Sequence, residues 1–321
     1  MPLIDLPLAD LHRYLGRNPR PVDFDEFWDN GLSELDALDG EVELERAEFE
    51  APVADCFHLT FTGVGGSRIH AKYLRPKMAA ASCPHPALLR FHGYAGSSGD
   101  WFGHLPYVGL GMSVAALDCR GQGGASEDRG GIHGTTCRGQ VTRGIDDSPE
   151  NMLFRQIFMD TAQLARIVSG FDEVDPTRLA AQGGSQGGAL TLACAALHPP
   201  LARAAAAFPF LCDYRRIWEM DLAKGAYEDL RDYFRRFDPR HEREEEIFTR
   251  LGYIDVQHLA PRIKAQTLFA TGLMDSTCPP STQFAAYNKI TAKKDLIVYP
   301  DYGHEELPGC NDAFYQFLSG V

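Results

Sequence analysis

The 321-residue chain has no paired-cysteine motif, no basic excess and no hydrophobic run long enough for a bilayer. Each gap closes off a class of function. Its eight cysteines (Cys56, Cys83, Cys119, Cys137, Cys194, Cys212, Cys278 and Cys310) are scattered, and none forms a Cys-x-x-Cys pair. A zinc site or a dithiol redox motif therefore has no support, and no metal is expected. Reduced thiols, several buried as small apolar side chains, are the expectation. Lys and Arg number 31 against 44 Asp and Glu, a formal net charge of −13. A surface this negative repels phosphate backbones, so nucleic acid is a poor partner and a small uncharged substrate a better one. No stretch approaches the roughly 20 apolar residues of a membrane span. The opening Met1-Pro2-Leu3-Ile4-Asp5-Leu6-Pro7 lacks the basic and apolar blocks of a signal peptide. A cytoplasmic protein with no membrane partner is expected. Internal repeats and low-complexity tracts are also missing.

Hydrophobic residues make up 44%, enough for a sizeable core. The length suits one large α/β domain over residues 1–321, with an N-terminal helical extension over 1–40. Within that extension Phe24, Phe27, Trp28, Leu32 and Leu35 fall on one helical stripe, with Asp23 as its N-cap after Pro21. Alternating runs at 42–49, 57–62 and 69–74 predict antiparallel strands, the last two joined by a turn at 63–67. Compact apolar runs follow at 87–91, 114–117, 179–181, 204–208, 267–270 and 296–299, separated in part by helical patterns at 151–168 and 186–198. Short apolar strands alternating with helices predict a mostly parallel sheet covered on both faces. The segment 213–259 breaks this rhythm. It is charged and helical, reads as a cap inserted over the active face, and its run Glu244-Glu245-Glu246 as a solvated helix face.

The sharpest local signal is Gly183-Gly184-Ser185-Gln186-Gly187-Gly188. A Gly-x-Ser-x-Gly piece directly between a strand and a helix is what a nucleophile elbow requires, and it predicts an α/β-hydrolase fold. The turn is so tight that small residues must flank the serine, whose hydroxyl is then exposed at the carboxyl edge of the sheet. A serine needs a base, and in this fold the order is serine, acid, histidine. Of His198, His241, His258 and His304, only His304 follows the last strand on a short loop. The acid belongs after the preceding strand, where Asp275 stands. Asp301 is a rival, poorly placed only three residues before the histidine. The first parallel strand runs into His92-Gly93-Tyr94-Ala95-Gly96, so the Tyr94 and Gln186 amides are the candidate oxyanion donors. His92 precedes the serine and is read as a support for that loop. Arg120, in Asp118-Cys119-Arg120-Gly121-Gln122-Gly123, is either a buried tie between loops or a solvated turn residue, and the sequence leaves both open.

Taken together, Pro21-Val22-Asp23-Phe24-Asp25-Glu26-Phe27-Trp28, Arg120-Gly121-Gln122, the Ser185 elbow and His304-Glu305 resemble the acetyl xylan esterase and cephalosporin C deacetylase family of carbohydrate esterases. The resemblance covers nearly the whole chain. It implies a serine esterase that deacetylates short O-acetylated sugars, and in some relatives cephalosporin C. Ser185, Asp275 and His304 would be its triad and the Tyr94 and Gln186 amides its oxyanion hole, with no cofactor and a cytoplasmic, hexameric assembly. Relatives often carry tyrosines around Leu153-Phe154-Arg155, so the role of that region is open. The rivals are another esterase, lipase or peptidase on the same fold, and a non-catalytic binding protein that has lost its chemistry.

Overall fold

The computed structural model describes residues 4–38, 40–77, 84–134 and 139–321. Among these residues nine strands form one sheet: β1 Val42–Arg46, β2 Ala54–Thr62, β3 Arg68–Pro76, β4 His85–Phe91, β5 Ser113–Leu117, β6 Val174–Gly184, β7 Arg203–Ala207, β8 Gln266–Gly272 and β9 Lys294–Tyr299. Their order is β1-β2-β3-β5-β4-β6-β7-β8-β9. The first three pair antiparallel, β3 also runs antiparallel to β5, and the rest are parallel. This is the α/β-hydrolase architecture expected from the sequence. The predicted first strand stops three residues early, at Arg46, where its exposed residues leave it as a short edge. The predicted run at 179–181 is the buried centre of the longer β6.

Among the described residues, eleven helices surround the sheet: α1 Leu8–Leu11, α2 Phe24–Asp36, α3 Leu105–Val108, α4 Leu153–Ser169, α5 Gln186–Leu197, α6 Tyr214–Glu219, α7 Glu228–Phe237, α8 Glu244–Gly252, α9 Val256–Leu259, α10 Pro280–Lys289 and α11 Cys310–Leu318. Side chains alternate across the strands. Leu89, Ala115, Ala181 and Ala206 face a cluster that includes α4 and α5, while Leu88, Val114, Ala180 and Ala205 face one that includes α3 and α11. Alanine dominates β7 because α5, itself buried along its whole length, lies close upon it.

The aromatic stripe of α2 is buried: Phe24 and Trp28 are fully enclosed, and Trp28 Nε1 donates to the Tyr253 carbonyl at 3.0 Å. Asp23 holds the N-cap position, but its side chain does not cap the helix. It accepts instead from the Tyr253 hydroxyl at 2.6 Å, tying α2 to the end of α8. The segment 213–259 contributes Tyr214, Tyr227, Phe234 and Phe248 to the same hydrophobic cluster as α4 and α5. Its acidic run is a solvated face, with Glu245 and Glu246 exposed, on which Glu245 pairs with Arg215 and Glu246 with Arg243 and Arg250. Leu153-Phe154-Arg155 begins α4 and is buried, with Arg155 bonded to Glu34 of α2 at 2.8 Å. The six described cysteines are free and buried; Cys83 and Cys137 lie outside the described residues. Among the described residues, no helix is long and apolar enough to cross a membrane.

Candidate active site

Ser185 sits between the last residue of β6 and the first of α5 with φ 56° and ψ −120°. That backbone is strained for any residue but glycine. It is held by three bonds: the Ser185 amide donates to Ala207 O (3.0 Å), and the Ser185 carbonyl accepts from Ala189 N (3.1 Å) and Phe210 N (3.0 Å). The flanking glycines answer to close backbone approach. A Cβ on Gly187 would overlap the Phe91 carbonyl, and one on Gly183 would overlap the Gly187 backbone. Small residues here are a steric requirement.

His304 arrives on the loop after β9. Its Nε2 lies 3.0 Å from Ser185 Oγ and its Nδ1 2.8 Å from Asp275 Oδ2. Asp275 is fully buried, and its Oδ1 accepts from the amides of Thr277 (2.9 Å) and Cys278 (2.8 Å). With a carboxylate on Nδ1, the ring carries its proton there and leaves Nε2 to accept from the serine hydroxyl. The loops bearing acid and base are bonded to each other through Met274 N and Tyr302 O (2.9 Å). Phe208 meets the imidazole edge-on, 4.8 Å between centroids.

The rival groups are elsewhere engaged. Asp301 is exposed. His241 pairs with Glu244 on the surface. Burial pushes His198 down to about 4, with Arg166 adding to the shift, and His258 down to about 3, with Lys289 adding. His92 accepts at Nε2 from Cys119 N (3.0 Å) and donates from Nδ1 to Gly93 O (2.7 Å), which makes it a brace for the loop, as its place in the chain implied.

The two residues whose amides are the candidate oxyanion donors are each held by side-chain contacts. Gln186 opens α5, so its N–H has no acceptor within the helix. Its buried side chain forms a reciprocal amide pair with Gln122, at 2.8 and 2.9 Å. The Tyr94 loop bends through Ala95 at φ 56°, the Tyr94 ring packs on Phe210, and its hydroxyl accepts from Gln140 N at 3.1 Å. Burial, with Asp229 adding, pushes that phenol up to about 12, so it stays neutral. The question left open for Arg120 is decided by its burial. The guanidinium grips Asp160 at 2.8 and 2.6 Å and donates to Val64 O at 3.0 Å, fixing the loop that carries Gln122.

Two neighbours of the site escaped the sequence reading. Gln122 had been legible only as part of a motif; its partner is set by the fold. Cys278 carried no signal beyond its position three residues after Asp275. Its sulfur, a His304 nitrogen and an Asp275 oxygen lie within 4.8 Å of one another, a set of the kind that ligates metals. Burial, then Asp275 and Cys212, hold that thiol well above its ordinary range, against a hydrogen bond with Ser185 that pulls it down. A neutral thiol is a poor ligand, and Asp275 is already saturated by two amides and the imidazole.

A family model described as acetyl xylan esterase (AXE1) matches residues 1–321. The chain belongs to the acetyl xylan esterase family. Membership makes it a carboxylic ester hydrolase. The crystal structure of acetyl xylan esterase 1 from Thermoanaerobacterium sp. JW/SL YS485 is 55% identical over 99% of both chains, with a TM-score of 0.97. That of an acetyl xylan esterase from Paenibacillus sp. R4 is 37% identical, covers 98% of this chain and 100% of that one, and has a TM-score of 0.91. An acetyl esterase of Xylanibacter ruminicola is 26% identical over 88% of this chain, which spans 63% of that relative's length. Set in the acetyl xylan esterase family, the strained serine, the imidazole and the buried carboxylate form an arrangement suited to acyl transfer.

Proposed function

We propose that this protein is a serine acetyl esterase that removes acetyl groups from short O-acetylated sugars, acetylated xylo-oligosaccharides above all. The observation that carries the reading is the unbroken hydrogen-bond chain Ser185–His304–Asp275, at 3.0 and 2.8 Å, on a strained elbow. Family membership and the names borne by its relatives supply the ester class.

In this mechanism Ser185 Oγ attacks the acetyl carbonyl as His304 Nε2 takes its proton, while Asp275 holds the ring in the required tautomer. The amides of Tyr94 and Gln186 stabilise the oxyanion, a contribution of about 3–4 kcal/mol per donor. His304 then gives the proton to the departing sugar oxygen. A water deprotonated by the same nitrogen attacks the acetyl-enzyme and releases acetate. The helices of residues 213–259 act as the cap, and no cofactor takes part. The same reading includes cephalosporin C as a second acetyl ester and a hexameric assembly, the latter checked by light scattering.

The test measures acetate release from acetylated xylo-oligosaccharides, cephalosporin C and 4-nitrophenyl butyrate, with the wild type and Ser185→Ala. Rapid deacetylation of the sugar that vanishes in a folded variant is the expected result. A preference for butyrate would overturn the sugar-ester assignment while leaving the serine chemistry standing.

A further inference from the structure

Asp275 accepts a fourth hydrogen bond, from a residue on neither its own loop nor that of His304. Gln283, in the first turn of α10, is fully buried, and its Nε2 donates to Asp275 Oδ2 at 3.4 Å and to the Cys278 carbonyl. The acceptor directions of the carboxylate are then all used. Oδ1 takes the amides of Thr277 and Cys278, while Oδ2 is shared between His304 Nδ1 and Gln283. The ion-pair partner of Asp275 is His304, and no lysine or arginine pairs with it among the described residues. A fully buried carboxylate without a fixed cation keeps its charge only through the donors around it.

The orientation of the Gln283 amide follows from these neighbours. Turned over, its oxygen would face the Asp275 carboxylate and the Cys278 carbonyl, two acceptors with no proton to give. In the orientation it has, Oε1 finds no hydrogen-bond partner among the described residues. A buried oxygen left bare costs stability, so packing alone would favour an apolar side chain of the same length. The donor end is what this position uses. Its seat is also fixed. Asp5 Oδ2 accepts from Ser281 N at 2.7 Å and Asp5 Oδ1 from Arg216 Nη2 at 2.8 Å. Arg216 Nε donates to Ser281 Oγ at 3.1 Å, and Thr282 Oγ1 to Pro279 O at 2.7 Å. The turn that presents Gln283 is thereby pinned from the N-terminal segment and from α6.

We propose that Gln283 is a positioning residue of the reaction: it holds Asp275 Oδ2 on the His304 Nδ1 proton and so keeps Nε2 aimed at Ser185. The inference rests on the triad described above. Gln283→Met keeps the length of the side chain and removes the donor. With 4-nitrophenyl acetate it should lower kcat roughly tenfold and leave KM within about twofold, because the lost bond acts on the base and not on the bound ester. In the Asp275→Asn background the imidazole already has the wrong tautomer, so the same substitution should change kcat by less than about twofold. Gln283→Asn, whose amide stops one methylene short of the carboxylate, should show the same loss and carries the test if the methionine variant does not fold. Wild-type kcat in a folded Gln283 variant, or an equal loss in both backgrounds, would overturn the role. Asp275→Asn at the wild-type rate would bring down the triad itself. With Asp275 shown to be essential, a negative result at Gln283 removes this inference alone.

Discussion

The backbone at Ser185 is strained, and it does not stand alone. Phe208, Leu211 and Asp213 also have positive φ, and the first two lie on the stretch that bonds to the elbow or packs on the imidazole. Conformations of this kind cost about 1–3 kcal/mol each and persist only where surrounding bonds over-determine them. Gly187→Ala should therefore either fail to fold or lose about 1–3 kcal/mol by forcing β4 and α5 apart, read as a lower urea midpoint. Ser185→Ala keeps the Cβ, and with it the backbone strain, and adds no bulk. It should fold normally by circular dichroism and lose activity by a factor on the order of 10⁴ or more. Asp275→Asn should keep the fold and cost roughly 10⁴ in kcat by presenting the wrong tautomer. A variant that stays within tenfold of wild type would remove Asp275 from the triad.

At the scale of elements, two junctions position the site from outside it. Arg120 and Asp160 are buried together, joining the loop after β5 to α4. Burial disfavours both charges; Asp160 raises the guanidinium's affinity for its proton, while burial holds the Asp160 carboxyl above its usual range despite Arg120. Arg120→Met should cost about 3–5 kcal/mol in chemical denaturation because it strands Asp160, whereas Arg120→Met with Asp160→Leu should recover most of that loss. A double variant no better than the single would show that the arginine acts through its carbonyl contacts. The second junction is α2, whose aromatic stripe the sequence displayed plainly because amphipathic spacing is a local property. What that stripe packs against was not legible. Trp28 reaches Tyr253, some two hundred residues on, and Arg155 reaches Glu34; neither pairing leaves a trace in composition or period.

The whole molecule carries a pH dependence set by histidines outside the site. His104 is pushed down to about 4 by burial and then by Arg90; His198 reaches about 4 and His258 about 3. In the unfolded chain these rings take up protons near pH 6.5, whereas the folded protein resists until far lower pH. Between those limits the unfolded state binds more protons, so stability rises with pH. The contribution is fully present above about pH 6.5 and is lost as pH falls through 4. Urea midpoints should decline over that window, and His198→Asn should flatten the decline. A midpoint that rises on acidification would contradict the buried neutral rings.

Local rules reached far in this chain. The order of strands and helices, the elbow and its glycines, and the place of His304 after the last strand all follow from periodicity and from the steric needs of a tight turn. The positions of Asp275 and Tyr94 follow from chain order once that turn is recognised. Other features belong to the tertiary structure because they depend on residues distant in sequence. Only the folded chain pairs Gln122 with Gln186, buries Arg120 on Asp160 and sets the Cys278 thiol beside Ser185. A side chain's type and spacing fix what it can do in its own turn or strand; burial, and the partner that burial supplies, are decided when the sheet closes and the helices pack.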